Sequence, residues 1–112
     1  MNAPIDYGKR IEKIVKNMET LGIDAFIGTR TVSVSYVSGA FVPWRSAVLV
    51  TRSGYAALVT MLIDAERLKN ESWLGSIMPY APLPGMDLLD IVVSKIQELG
   101  LAGGTIGVEL GH

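Results

Sequence analysis

The segment SAVLVTRSGYAALVT, residues 46–60, decides the fold of this 112-residue chain. Two runs rich in valine, leucine and alanine flank the polar triplet Arg52-Ser53-Gly54. Glycine adopts positive φ angles at little cost, so the triplet suits a tight turn between two strands. The segment therefore predicts a β-hairpin, which makes its two strands antiparallel neighbours in one sheet.

An amphipathic helix and a short strand are predicted before the hairpin. Asp6 is a suitable N-cap, and Gly22 follows the last apolar residue of the helical pattern. The apolar run 25–27 indicates a buried strand. Residues 29–39, TRTVSVSYVSG, fit both strand alternation and a helical turn, so their periodicity leaves the two conformations open. The predicted apolar stripe of the first helix consists of Ile11, Ile14, Val15, Met18 and Leu21.

Two more helices and two more strands are predicted after the hairpin. A short helix over residues 65–71 follows the N-cap Asp64, and a longer helix spans 86–99. Strands lie within 76–80 and 105–110. A hairpin followed by strand–helix–strand units predicts an α/β fold, with a mixed sheet of five to six strands flanked by helices. The predicted apolar stripe of the longer helix is Leu89, Val92, Val93, Ile96 and Leu99.

The bulk composition narrows the class of protein. The net charge is −1 and acids alternate with bases, so the chain offers no basic face for nucleic acid or for a membrane surface. The longest apolar region, residues 47–63, is interrupted at 52–54 and is too short on either side to cross a bilayer. The chain has no cysteine and its first ten residues do not resemble a signal peptide, which favours the cytoplasm.

The sequence contains no recognisable set of catalytic or metal-binding side chains. Its only histidine, His112, is the last residue, where a fixed general base is not expected. The carboxylates lie singly at predicted helix starts or on solvent faces, which is typical of caps and surface charges. Trp73 is predicted to anchor the short helix on the sheet. Four methionines are predicted to fill the core: Met18, Met61, Met78 and Met86.

Three segments occur in an order and spacing that resemble a known domain. RIEKIVKNMETLGIDAFIGT, residues 10–29, resembles its first helix and strand, and IGVE, residues 106–109, resembles its last strand. VSVSYVSGA, residues 32–40, resembles its characteristic turn, with Tyr36 and Gly39 as the turn residues. The domain is the N-terminal domain of the creatinase/prolidase family, which includes Xaa-Pro dipeptidases and aminopeptidase P. The family usually has asparagine where Ser33 or its neighbour stands in this chain.

The resemblance implies that residues 1–112 form a ribonuclease-H-like accessory domain of a longer hydrolase. Catalysis would belong to a C-terminal pita-bread domain that this chain does not contain. In the metallopeptidases of the family, two Asp, one His and two Glu of that domain hold two divalent ions, such as Mn, Co or Zn. The resemblance therefore implies that this chain has no catalytic residue, metal ligand or cofactor of its own. It also implies a homodimer as the parent protein.

The loop of residues 40–45, AFVPWR, is the unusual feature that the resemblance helps to interpret. In the family, the N-terminal domain contributes dimer contacts and closes over the active site, and this loop is the part that reaches it. Phe41 and Trp44 would wall the substrate entrance and Arg45 would bind a substrate carboxylate. Two other interpretations stay open: the aromatics cover the sheet edge while Arg45 pairs with a surface acid, or the three residues anchor a subunit interface.

A second function class is compatible with the same sequence. The chain is then a free-standing α/β domain that binds a ligand or another protein, with no hydrolase attached. A complete enzyme is disfavoured because no nucleophile, base or metal set is visible. The two remaining classes differ in whether the gene continues beyond residue 112, and the abrupt end after a strand leads us to expect that it does.

Overall fold

The structure is a computed structural model that describes residues 6–109, so His112 lies outside the described residues. Helices and strands occupy the segments expected, with one addition between the first strand and the hairpin. The helices are α1 (Tyr7–Leu21), α2 (Thr31–Ser38), α3 (Ala65–Glu71) and α4 (Leu88–Glu98), and a 3-10 turn spans Leu62–Asp64. The strands are β1 (Ala25–Gly28), β2 (Ala47–Thr51), β3 (Ala56–Met61), β4 (Ile77–Tyr80) and β5 (Ile106–Val108).

The five strands form one mixed sheet in the order β4-β3-β2-β1-β5. The predicted hairpin, β2–β3, is antiparallel and lies at its centre. β1 pairs with β2 antiparallel, whereas β3–β4 and β1–β5 are parallel pairs. The predicted α/β fold with a mixed sheet of five to six strands is therefore confirmed, with five strands within the described residues.

Helices cover both faces of the sheet and enclose two separate cores. Alternate residues of β2 point to opposite faces of the sheet. Val48 and Val50 belong to the first core, which lies under α1, α2 and α3. Ala47 and Leu49 belong to the second core, which lies under α4. This alternation explains why β2 is apolar at four successive positions, because a central strand is buried on both faces.

The segment that the sequence left open is the helix α2. Val34 and Val37, three residues apart, are both 1% exposed and pack in the first core, whereas Val32 is 74% exposed. A strand would place Val32, Val34 and Tyr36 on one face, but the helix brings Val34 and Val37 together. Burial of these two valines therefore distinguishes the two conformations.

The apolar stripe predicted for the longer helix, α4, is wrong at three positions. α4 begins at Leu88, because Asp87 caps it and forms a reciprocal capping box with Asp90. Its buried residues are Leu88, Val92 and Ile96, four apart, so they form the row that faces the sheet. Leu89, Val93 and Leu99 are instead 62%, 49% and 36% exposed.

Smaller predictions about single residues also need correction. Leu21 ends α1 on its solvent side and is 70% exposed, and Met86 precedes α4 and is 45% exposed, so neither fills the core. Met18 is buried as predicted, and Met61 and Met78 pack partly against the second core. Asp64 occupies the N-cap position of α3, but its side chain makes no capping hydrogen bond.

Candidate functional site

The aromatic–arginine loop, residues 40–45, connects α2 to β2 and alternates between buried and exposed side chains. Ala40 and Val42 are buried in the first core. Phe41 and Trp44 are 64% and 49% exposed, and Arg45 is also exposed. The loop therefore attaches to the domain through its small apolar residues and presents its three candidate site residues to solvent.

The backbone of this loop is held by side chains from distant elements. The hydroxyl of Tyr80, at the end of β4, donates a hydrogen bond to the carbonyl of Arg45. Nη2 of Arg67, on α3, donates to the carbonyl of Phe41 at 3.2 Å. Because both donors belong to ordered secondary structure, the exposed side chains project from a fixed backbone.

Arg67 is itself fixed by two carboxylates. Its Nε and Nη2 lie 2.7 and 2.6 Å from the two oxygens of Asp64, and its Nη1 lies 2.5 Å from Glu71. The hydrogen bond to Asp64 is the main cause that raises the pKa of Arg67, and the same bond lowers the pKa of Asp64. Asp64 thus orients the arginine that holds the loop.

The two predicted turn residues lie at the end of α2, where the loop begins. Gly39 is the C-cap, with φ 75°, and a Cβ there would lie 2.8 Å from Cζ of Tyr7. Tyr36 lies in the last helical turn and is 38% exposed. Gly39 is thus required by both its backbone conformation and the close approach of Tyr7.

A row of aromatic rings and one guanidinium covers this end of α2. The rings of Tyr7 and Trp73 stack with centroids 5.3 Å apart. The Arg10 guanidinium lies 5.0 Å from the Tyr7 centroid and 4.4 Å from that of Tyr36, within cation–π distance. Trp73 Nε1 donates to the carbonyl of Val37 at 2.6 Å, so this tryptophan anchors α2 as well as the end of α3.

The opposite end of α2 is held by Glu109, which follows β5. Its Oε1 accepts hydrogen bonds from the backbone amides of Thr29 and Arg30, each at 2.8 Å, and its Oε2 accepts one from Ser33 Oγ. Burial raises the pKa of Glu109, but the bonds from Ser33, Arg30 and Thr29 and the charge of Arg30 lower the pKa overall.

The sequence did not single out Glu109, Tyr7 and Arg10, whose side chains make the contacts at the two ends of α2. Their partners lie tens of residues away, for example 26 residues between Arg10 and Tyr36 and 80 between Glu109 and Thr29. The one available signal was the glutamate of the IGVE segment, an acid directly after a predicted strand. That signal carries no information about which group the acid contacts.

The arrangement of the loop bears on the open interpretations. Within residues 6–109, Arg45 forms no ion pair with an acid. Phe41 is mostly exposed and Trp44 is about half exposed, so both rings have accessible surface. A planar cation beside two accessible aromatic rings is suited to binding a carboxylate-bearing or aromatic partner.

Metal ions in proteins require particular sets of ligand side chains. No group of three or more His, Cys, Asp or Glu residues within 6–109 is arranged to hold an ion. The family resemblance places its two-metal set in a C-terminal domain, so the described residues are not candidates to hold it. Over the same range, every helix is too short or too polar to span a bilayer.

Comparisons with known proteins identify the domain type. A search of curated proteins gave no match. Among solved structures, the chain is similar to an Xaa-Pro dipeptidase from Bacillus anthracis, with 23% identity and a TM-score of 0.72 over 85% of this chain. It is also similar to an X-Pro aminopeptidase from Thermotoga maritima MSB8, with 21% identity and a TM-score of 0.70 over 89% of this chain.

These two structures are much longer than this chain, which covers 25% and 26% of them. The N-terminal domain of an Xaa-Pro dipeptidase from Lactobacillus brevis has a TM-score of 0.73 at 10% identity, over 89% of this chain and 75% of that one. At such identities the structural likeness establishes the fold. The sequence itself matches the family described as the Creatinase/Prolidase N-terminal domain over residues 10–112. Because this match covers nearly the whole chain, the protein belongs to the creatinase/prolidase N-terminal domain family.

Proposed function

We propose that the chain is the non-catalytic N-terminal domain of a creatinase/Xaa-Pro dipeptidase-like hydrolase, where it contributes dimer contacts and lines the substrate entrance. Family membership supports the domain assignment, and the two longer structural relatives support a larger parent protein. In this proposal the reaction and its two divalent ions belong to a C-terminal pita-bread domain, and the parent is a cytoplasmic homodimer.

The observation that carries the proposal is the presentation of the aromatic–arginine loop. Its backbone is held at Phe41 and Arg45 by Arg67 and Tyr80, while the side chains of Phe41, Trp44 and Arg45 are accessible to solvent. A loop that is already ordered loses little conformational entropy when it contacts a partner. Each aromatic side chain buries about 150–250 Å² when covered, so the loop has enough apolar surface to exclude water from a neighbouring site.

Arg45 supplies the polar part of this surface. Its planar guanidinium presents parallel N–H donors that match a carboxylate. The same group forms no ion pair with an acid within residues 6–109, so binding a substrate carboxylate breaks no salt bridge within that range. We therefore assign Arg45 to the recognition of an anionic group on the substrate.

The reading frame that encodes the chain tests the domain assignment. We expect it to continue beyond residue 112 and to encode, downstream, an Asp, Asp, His, Glu, Glu set in the order of the family's metal ligands. A stop codon directly after residue 112 would support the alternative, a free-standing ligand-binding or interaction domain.

Steady-state kinetics of the longer protein test the role of Arg45. Arg45→Ala is expected to raise KM for a substrate with a free carboxylate about tenfold or more, the typical cost of one lost charge-assisted hydrogen-bond pair. KM for the corresponding amide should change little. Lys13→Ala, on the exposed side of α1, is the matched control and should leave both values unchanged. Equal KM values for wild type and Arg45→Ala with both substrates would remove the carboxylate role.

Sedimentation of the longer protein tests the dimer contacts. If the loop takes part in the interface, the double variant Phe41→Ser, Trp44→Ser shifts the protein towards the monomer, since aromatic residues are common interface anchors. A protein that stays dimeric to the same dilution as wild type would exclude the loop from the interface.

A further inference from the structure

The helix α2 is poorly suited to form a helix without outside help. It has eight residues, TVSVSYVS, and every one is β-branched, serine or tyrosine. Such residues have weak helix propensity, and short helices are marginal in water even with better sequences. Its N-cap residue, Arg30, makes no side-chain capping hydrogen bond. The conformation of α2 therefore depends on groups from other elements.

Those groups hold both ends of the helix. At the C-terminal end, Arg10 Nη1 donates to the carbonyl of Tyr36 at 2.8 Å, and Ser72 Oγ donates to that of Ser38 at 2.6 Å. Trp73 Nε1 satisfies the carbonyl between them. At the N-terminal end, the Glu109 carboxylate binds the amide of the N-cap residue Arg30, the amide of Thr29 before it and the hydroxyl of Ser33 in the first turn.

The Glu109 carboxylate is well matched to that position. The amide of an N-cap residue has no partner within the helix, and the helix dipole favours a negative charge beside the N-terminus. Glu109 accepts from two successive amides through one oxygen and from the hydroxyl of Ser33 through the other. Its own amide donates to the carbonyl of Ile27 at 3.0 Å, which extends the β1–β5 pairing by one residue.

We propose that Glu109 is a positioning residue that couples the end of β5 to the aromatic–arginine loop through α2. One residue belongs at the same time to the edge of the sheet and to the capping of the helix. α2 leads through Gly39 directly into residues 40–45. A change in the direction of the chain after β5 changes the contacts between Glu109 and the start of α2, and therefore the support that α2 gives to the loop. The coupling goes beyond the proposed function, since it involves neither substrate nor metal.

Amide hydrogen exchange of the 112-residue chain, resolved by residue with NMR, tests this coupling. In Glu109→Gln, we expect the exchange rates of the Thr29 and Arg30 amides to rise about tenfold or more, because their charged acceptor is lost. The amides of α2 and of Phe41 and Val42 should exchange faster in the same variant. Glu98→Gln, on the exposed side of α4, is the matched control and should leave these rates at wild-type values.

A second variant separates the coupling from general loss of structure. Ser33→Ala keeps the carboxylate and both amide bonds and removes only the hydroxyl donor, so it should produce the same pattern of faster exchange with a smaller amplitude. It also serves if Glu109→Gln does not fold. Unchanged rates at Thr29 and Arg30 would overturn the capping role. Faster exchange confined to those two amides, with the loop at wild-type rates, would overturn the coupling.

Discussion

Gly39 joins α2 to the aromatic–arginine loop at a position where an added Cβ would meet the Tyr7 ring. Its φ of 75° is unfavourable for other residues, and the Tyr7 ring occupies the space where a Cβ would lie. Gly39→Ala should lower the free energy of unfolding by about 2–4 kcal/mol, which combines backbone strain with a steric clash.

Gly22→Ala is the matched control for this prediction. Gly22 ends α1 with φ 70°, but a Cβ there meets nothing within 4 Å. Gly22→Ala should therefore lower the free energy of unfolding by about 1 kcal/mol, from backbone strain alone. Urea denaturation of both variants measures the difference, and equal losses would mean that the contact with Tyr7 is unimportant.

Glu109 makes stability depend on pH in acid. The pKa of its carboxyl is lowered in the folded chain below its ordinary value of 4.5, so the folded state holds the proton less tightly than the unfolded state. The resulting stability is fully present above the ordinary value and is lost as the pH falls through the folded-state pKa. Arg30 is the charged group that contributes to this shift.

Urea denaturation at several pH values between 7 and 3 measures this contribution. At pH 7 the free energy of unfolding of the wild type should exceed that of Glu109→Gln by about 1–3 kcal/mol, the usual contribution of hydrogen bonds to a charged acceptor. The difference should shrink towards acid pH. A difference that is constant over the whole range would show that the charge of Glu109 does not contribute.

At the scale of elements, α4 shows how one helix buries a row that its sequence does not single out. Leu88 and Leu89 are adjacent, but Leu88 is 3% exposed and Leu89 is 62% exposed. Capping by Asp87 determines where the helix starts, and the 100° turn per residue then directs Leu88, Val92 and Ile96 to the sheet.

Alanine substitution at these two leucines tests the assignment with a single chemical change. Leu88→Ala should destabilise the chain by about 2–5 kcal/mol, because it leaves a cavity in the second core. Leu89→Ala should change stability by no more than about 0.5 kcal/mol. Thermal unfolding followed by circular dichroism compares the two. A larger loss of stability for Leu89→Ala than for Leu88→Ala would instead support the apolar stripe that periodicity alone predicts.

At the scale of the whole molecule, the aromatic–arginine loop is held by a contact that crosses strand β3. Tyr80 ends β4 at the edge, and its hydroxyl reaches the carbonyl of Arg45, which lies just before β2 on the other side of β3. Burial raises the pKa of Tyr80, while the charge of Arg45 lowers it slightly, so the hydroxyl keeps its proton at neutral pH.

Removal of this hydroxyl should loosen the loop while the core stays intact. Tyr80→Phe is expected to cost about 1 kcal/mol of stability and to speed the exchange of the amides around Arg45. Tyr55→Phe removes a comparable hydroxyl bond, 2.7 Å to Ser76 Oγ, away from the loop. It should give a similar loss of stability with unchanged exchange at Arg45. If both variants leave the loop equally protected, Tyr80 does not hold it.

The hairpin, the five strands and three of the four helices follow from patterns within short windows of the sequence. The central turn at Arg52-Ser53-Gly54 and the helix cap at Asp6 depend only on residues a few positions away, and the structure has both. The exposed loop with Phe41, Trp44 and Arg45 was visible for the same reason, since its composition differs from that of its neighbours.

Local patterns were not sufficient for α2, for the buried row of α4 or for the contacts that hold the loop. Residues 31–38 become a helix because Val34 and Val37 share a core and because Arg10, Trp73 and Glu109 satisfy its ends. These partners come from 26 to 80 residues away along the chain. Periodicity reports which side of an element is apolar, whereas only the packed sheet and helices bring such distant donors and acceptors within hydrogen-bond distance.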